Sequence, residues 1–416
     1  MKKRMSATYV YRTEQTIIKK SNSLYSKLDE MAFKAKNIYN LCLYEQRQIY
    51  FEYKRFINYA DLYRLVKDKE GYKELPRSLS NSILRQVSTN CLSFQKATRA
   101  YFNKPEAFTA KPKLPKYKDK AKGRYVITFN SYTCRIKEGK VHFHKIMEGF
   151  TLKTNLEEIQ QVQIVPRLNS YVINVTGTKL VDMTSESEAK FIAGIDLGID
   201  NFATITVWNN TSRPMIINGK GLKSYNKYFN KKLAFLQSEA ITKNGLHTTK
   251  QIQSLYQKRN NYMHNFMHQA SKKTVDYLVE NQVKYLVIGK NTGWKQESKL
   301  SKRVNQTFIQ IPYDKYIQLL TYKAQEKGIA VYHQEESYTS GTSFIDNELP
   351  NQAFYNKSRR KYRGLFISNN GTKVNADVNA SYQIPKKVFG QLQANFNQFT
   401  PEQLHNKLEP IRINVV

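Results

Sequence analysis

Apolar positions in the first hundred residues recur in steps of three and four. Leu24, Leu28, Met31, Ala35, Ile38 and Cys42 form one stripe, and Ile83, Val87, Cys91 and Phe94 form another. That spacing puts the apolar side chains on one helical face, so about 20–105 is expected to be a helical module. Residues 6–13 (SATYVYRT) read as a short strand ahead of it. Beyond a Lys- and Pro-rich stretch the period drops to two. RYVITF, KVHFHK, QVQIVP and SYVINVTG alternate as strands do, with turns at Glu138-Gly139 and Leu168-Asn169-Ser170. About 108–185 is therefore expected to be an antiparallel β region, which the first strand could join.

SESE, at 185–188, is the clearest break in composition, and a different pattern follows it. FIAGIDLGI, FATITVW and RPMIING are strand-length apolar runs joined by short turns. Two amphipathic helices come next, one carrying Leu222, Tyr225, Phe229 and Leu236. The other carries Ile252, Leu255, Arg259, Met263, Phe266, Ala270 and Thr274, and TKNGLHTT links them as a hairpin. Then follow strand KYLVIG, helix PYDKYIQLLTYKAQEKG, strand IAVYHQ, a loop, and a last helix opening near Asp377. A three-strand meander followed by alternating helix and strand is an α/β layer pattern. Its order, β-β-β-α-β-α-β-α, is that of the RNase H superfamily.

Charge narrows the class of partner. The 416 residues hold 67 Lys and Arg against 33 Asp and Glu, a formal net charge of +34, together with 29 Tyr and 21 Phe. Cations neutralise phosphates and aromatic rings stack on bases, so this balance points to nucleic acid. The cations also cluster. Lys111, Lys113, Lys116, Lys118, Lys120, Lys122 and Arg124 share one stretch with a single acid, Asp119, and Pro112 and Pro115 keep it extended. A second cluster, KSRRKYR, holds Arg359, Arg360, Lys361 and Arg363. No apolar run approaches the ~20 residues that cross a bilayer, and the basic start lacks the apolar stretch of a secretory signal. Cys42, Cys91 and Cys134 lie too far apart for a disulfide framework or a Cys-based zinc site, and the first two fall on helical stripes as core thiols.

The candidate chemistry is acidic. Asp196 ends the first strand of the second half, in GIDLGID, and Asp377 opens the last helix, in VNADVNASYQI. Taken singly, each has an ordinary reading: a strand end, and an acid favoured by the helix dipole. Together they stand on the strand and helix where an RNase H fold places metal ligands. His264 and His268 have a zinc-compatible spacing but no third ligand. Ser337, Thr339 and Ser340 read as loop or cap residues, and Trp294 and Lys295 as either nucleic-acid contacts or loop packing.

Residues 192–206 (IAGIDLGIDNFATIT), 285–296 (YLVIGKNTGWKQ), 305–345 and 375–384 (NADVNASYQI) resemble the transposon-encoded TnpB (OrfB) family. That family is similar to the type V CRISPR effectors. The resemblance implies a multidomain α+β chain: a β-barrel-like, WED-type region over 1–19 and 108–185, with a helical recognition module over 20–107. A RuvC-like nuclease of RNase H fold over 186–390 would follow, with the hairpin inserted at 221–280 and a tail at 391–416. It further implies a monomeric RNA-guided DNA endonuclease using two Mg²⁺ ions. Its partners would be a guide RNA from the transposon end and double-stranded DNA bearing a short adjacent motif. Its expected address is the prokaryotic cytoplasm, at the nucleoid.

Two departures from the family pattern matter. Residues 341–376 contain no cysteine where many members carry a four-cysteine zinc knuckle, so no zinc is expected. The middle strand motif usually carries a catalytic Glu where this chain has Gly289. Either the protein is nuclease-dead, an RNA-guided DNA-binding repressor, or another acid has taken over. Strand order nominates Glu336: in an RNase H sheet the fourth strand lies beside the first and the fifth beside the fourth, all parallel and about 4.8 Å apart. Some TnpB-like proteins resemble this one in an E-x-Y-T-S context, which favours Glu336 over Glu335. The expected metal-holding and catalytic set is thus Asp196, Glu336 and Asp377.

Overall fold

The computed structural model describes residues 7–182, 190–209, 211–290, 309–390, 392 and 400–415. The break at 185–188 and the pair Trp294 and Lys295 lie outside the described residues. Contacts divide the chain into two compact units, Ala7–Val181 and the stretch from Asp182 onward.

The first unit opens on β1 (Ala7–Lys19), followed by α1 (Leu24–Tyr53), α2 (Tyr59–Val66), α3 (Glu70–Lys73) and α4 (Arg77–Asn103). The apolar stripes behave as their spacing predicts: Leu28, Met31, Ala35, Ile38 and Cys42 are buried on α1, and Ile83, Val87 and Cys91 on α4. Each Leu, Ile, Val or Met among them, withdrawn from water, contributes roughly 1.5–3 kcal/mol. β2 (Ile127–Asn130), β3 (Arg135–Lys137), β4 (Lys140–His142), β5 (Thr151–Lys153), β6 (Glu158–Arg167) and β7 (Ser170–Asp182) follow. They form two sheets, ordered β1-β7-β6-β2 and β3-β4-β5. The turn expected at Glu138-Gly139 is a two-residue hairpin loop with φ of 52° and 66°, the left-handed pair that matches strand twist. β1 outruns the expected 6–13 because the alternation of exposure persists through Ile18.

The second unit is built on one mixed sheet. β8 (Phe191–Leu197), β9 (Asn201–Val207) and β10 (Met215–Asn218) form an antiparallel meander. The hairpin of α5 (Lys220–Asn244) and α6 (Lys250–Glu280) leads to β11 (Val283–Gly289), α7 (Tyr313–Gln325) and β12 (Ala330–Gln334). β11 lies parallel to β8, and β12 parallel to β11, the adjacency expected of the fourth and fifth strands. A small sheet of β13 (Arg360–Tyr362), β14 (Leu365–Ile367) and β15 (Lys373–Asn375) precedes α8 (Ala376–Phe389). α9 (Pro401–Leu408) and β16 (Ile411–Ile413) close the chain. Residues 391–416 therefore hold more than a tail: β16 pairs parallel with β10, completing the order β12-β11-β8-β9-β10-β16.

One face of this sheet packs on aromatic side chains. The Phe202 ring meets Phe266 and Tyr316 edge-on, at 5.1 and 4.8 Å between centroids, and stacks on Tyr313 at 5.7 Å. α8 lies against β8 so closely that a Cβ on Gly194 would stand 2.0 Å from the Ser381 carbonyl oxygen. Only glycine allows that approach, which sets the helix carrying Asp377 against the strand carrying Asp196. Among the described residues, no helix is long and apolar enough to cross a membrane.

Candidate active site

Asp196 sits near the carboxyl end of β8, with Ile195 paired to Ile288 of β11. Gly289 ends β11 opposite Gln334 of β12, and Glu336 follows two residues later. A Cβ built on Gly289 would lie 2.2 Å from Glu336 Oε1 and 2.7 Å from its Cγ. The Glu336 side chain thus fills the space that a side chain at 289 would need. Asp196, Glu335, Glu336, Ser337, Tyr338, Thr339, Ser340, Arg360 and Ala380 line one cleft of about 290 Å³.

Asp377 stands at the start of α8, where Asn375 caps the helix by accepting from the Asp377 and Val378 amides. Asn201 Nδ2 donates to Asp377 Oδ2 at 2.7 Å, and Arg360 Nη2 lies 3.4 Å from its Oδ1. Burial raises the Asp196 carboxyl well above its usual range, and the negative charges of Glu336 and Asp377 raise it further; Arg360 opposes them. Burial, with Glu335 alongside, pushes Glu336 up to about 7. Glu335 moves the other way: its bond from Ser337 holds it below the ordinary carboxylate value, with help from Lys387. Asp196 therefore feels the charge of both other expected acids.

A divalent cation is implied by the family resemblance, and the donor chemistry suits one. Three carboxylates supply hard oxygen ligands, and the mutual repulsion that raises Asp196 is what a bound cation relieves. Among the described residues, however, no group of three or more His, Cys, Asp or Glu is arranged as a ready-made metal cage. His264 and His268 stand with rings 4.3 Å apart, and burial pushes His268 down to about 4.

The expected nucleic-acid cations separate into three kinds. Lys111, Lys113, Lys116, Lys118, Lys120 and Lys122 are exposed along a segment without regular structure. Their backbone is strapped to α1: Asn40 exchanges two bonds with Lys118, Lys36 Nζ donates to the Lys120 carbonyl, and Arg47 to that of Pro115. Arg124 is instead engaged within the protein, its Nε and Nη2 donating to the two oxygens of Asp29 at 2.9 and 2.7 Å. Arg359 corrects the expectation outright. It is buried, forks onto Glu348 at 2.9 and 2.7 Å, and donates to the Gly341 and Phe354 carbonyls. A guanidinium so enclosed is held by the protein interior and is not presented to phosphate. Lys361 and Arg363 are exposed, with Arg363 3.5 Å from Asp200, while Arg360 turns toward Asp377.

Sequence reasoning missed two residues here. Asn201 holds Asp377 from 176 positions away. Lys387 Nζ reaches Ser337 Oγ at 2.6 Å, the Ser337 carbonyl at 3.0 Å and Glu335 Oε2 at 3.1 Å. No local spacing signals either contact, because each joins segments that only the fold brings together.

A mixed sheet with acids gathered at one edge, on an α+β chain of strong positive charge, defines the broad class. Two family models match: OrfB_IS605, described as "Probable transposase", over residues 170–295, and "Cas12f1-like, TNB domain" over 313–384. A curated relative, "TnpB-like protein ORF457" of Acidianus two-tailed virus, is 26% identical over 249 residues, 57% of this chain and 51% of that protein. The chain thus spans about half the length of the curated relative it matches. By these matches the chain is similar to TnpB-like (OrfB) proteins. Among solved structures it is similar to that titled "Cryo-EM structure of the Cas12f1-sgRNA-target DNA complex", at 17% identity and TM-score 0.36, covering 90% of this chain and 98% of that one. For the "mini-RNA-guided endonuclease CRISPR-Cas_phi3" the values are 10%, 0.45, 91% and 92%.

Proposed function

We propose that the chain is a monomeric, guide-RNA-bound endonuclease that cleaves double-stranded DNA, encoded by a transposon and acting in a prokaryotic cytoplasm. In this reading residues 1–19 and 108–185 are a WED-like domain, 20–107 a recognition module, and 186–390 a RuvC-like nuclease. The observation that carries it is the Glu336 carboxylate standing in the side-chain space of Gly289, on the sheet edge that also bears Asp196. A carboxylate lost from one strand end is thereby recovered from the next.

Asp196, Glu336 and Asp377 would hold Mg²⁺. Bound there, two such ions supply an activated water and charge stabilisation for in-line phosphodiester hydrolysis. Asn201 and Arg360 orient Asp377. The exposed lysines of 111–122, with Lys361 and Arg363, meet phosphates of the RNA and DNA. Base pairing with the guide then selects the target, while the protein holds the backbone and reads the short adjacent motif.

A second reading, a nuclease-dead repressor that binds guided DNA without cutting it, has its own support. Gly289 stands where the TnpB family usually carries its catalytic Glu. One experiment separates the readings: sequence the RNA that co-purifies with the protein, then offer the loaded complex matched duplex DNA with Mg²⁺. Cleavage of matched DNA alone supports the endonuclease. Guided binding without cleavage supports the repressor, and RNA-independent binding contradicts both.

A further inference from the structure

We infer that Lys387 is a positioning residue: it draws Glu335 to the flank of the cleft and so commits Glu336 to the catalytic edge. This rests on the reading of Glu336 as a metal ligand. The chain offers two consecutive glutamates at the end of β12, with like charge and similar reach, and a site that needs one of them. Something must separate their roles.

The separation is built from hydrogen bonds. An ammonium has three protons to donate, and Lys387 Nζ has three acceptors within reach: Ser337 Oγ at 2.6 Å, the Ser337 carbonyl at 3.0 Å and Glu335 Oε2 at 3.1 Å. The Lys387 side chain is only 14% exposed, so this head group is held rather than free in solvent. Ser337 closes the ring, its hydroxyl donating to Glu335 Oε2 at 2.5 Å and its amide to Oε1 at 3.1 Å. Both Glu335 oxygens are thus engaged by Ser337 and Lys387. The neighbouring backbone is pinned as well. Lys290 N donates to the Gln334 carbonyl at 2.8 Å, and the Thr339 amide and hydroxyl both donate to the Glu336 carbonyl. With residues 334, 335 and 337 fixed on the flank, the Glu336 side chain is left directed at the space above Gly289.

Lys387 reaches the loop from α8, the helix whose first turn carries Asp377. Ten residues separate the two, roughly 15 Å along the axis. One rigid element therefore presents one acid directly and sets the direction of another through the loop. Outer contacts of this kind orient ligands at a metal site, and their loss typically weakens metal binding by about 10–100-fold.

The test is Mn²⁺ binding to the guide-loaded protein by isothermal titration, with thermal unfolding and guided DNA binding measured alongside. Lys387→Met should weaken Mn²⁺ binding by about tenfold or more while guided DNA binding stays at the wild-type level. Lys387→Arg should recover most of the loss. Glu335→Gln should cost a similar factor, and the double variant no more than either single one, because both remove one device. Wild-type Mn²⁺ affinity in Lys387→Met, or losses that multiply in the double variant, would overturn the inference. Should Lys387→Met fail to fold, Lys387→Gln and Glu335→Gln carry the same comparison. Glu336→Gln tells the two claims apart. If it binds Mn²⁺ like wild type, the ligand assignment falls and the positioning role with it. If it loses Mn²⁺ while Lys387→Met does not, only the positioning role falls.

Discussion

The Glu336 carboxylate and the bare backbone of Gly289 occupy complementary space: a Cβ at 289 would stand 2.2 Å from Glu336 Oε1. The two positions are 47 apart in the chain, yet they exclude one another. A side chain at 289 and an inward glutamate at 336 are alternatives, which gives the first prediction. Gly289→Ala should displace Glu336 and lower cleavage at least about tenfold, the scale of losses when a ligand's orientation is disturbed. Guided DNA binding should be unaffected. The double variant Gly289→Glu with Glu336→Gly should cleave better than either single variant, as read by the rate on matched duplex. A double variant as inactive as the worse single one would argue against exchange of one carboxylate for the other.

The acids should also make the protein pH-sensitive in two opposite ways. Burial holds Glu336 at about 7, above its ordinary 4.5. A group raised in the fold stabilises it most below its unfolded value, and loses that contribution as pH rises through the folded one. Without metal, the melting temperature should therefore decline between pH ~4.5 and ~7, more shallowly in Glu336→Gln. Metal binding needs the ionised carboxylate, so Mn²⁺ affinity should tighten across pH 7. Titrations well below and well above pH 7 check this, and equal affinities would contradict it.

Surface and structural cations should respond differently to substitution. Replacing Lys113, Lys116 and Lys118 with Gln should weaken binding regardless of sequence and flatten its salt dependence by roughly 0.7–0.9 log units per lost contact. Arg124→Gln should instead act on stability, by about 1–3 kcal/mol, because it leaves Asp29 without its forked partner. Binding isotherms across salt, with thermal melts, separate the two. An unchanged salt slope in the triple variant would remove the segment as a contact surface.

The stretch between the Y-T-S motif and Asp377 should be held by Arg359 without zinc. Removing one partner of a buried pair such as Arg359–Glu348 costs about 3–5 kcal/mol. Arg359→Ala should therefore lower the melting temperature, while a zinc-selective chelator should leave the wild-type value in place. Stoichiometric zinc by elemental analysis, with melting sensitive to the chelator, would contradict this.

Much of this architecture can be read along the chain because its signals are local. The stripe from Leu28 to Cys42, the Glu138-Gly139 turn and the meander from Phe191 each depend on neighbours a few residues away. What the pattern hid depends on distant partners. Arg359 and Arg124 sit in runs of cations, and only the fold brings Glu348 and Asp29 to them. β16 is three residues long, too short for a period to register, and exists through its pairing with β10. At the site, Asp196 and Asp377 stand out by motif and Glu336 by strand order. Asn201 and Lys387 carry no signal because their contacts cross 176 and 50 positions.

The most direct test of the account compares Glu336→Gln with Asp196→Asn and wild type in guided cleavage of matched duplex DNA with Mg²⁺. Guided DNA binding is measured on the same preparations. The account predicts that wild type cleaves and that both variants lose cleavage to the same extent while binding the target as wild type does. Strong cleavage by Glu336→Gln would contradict it.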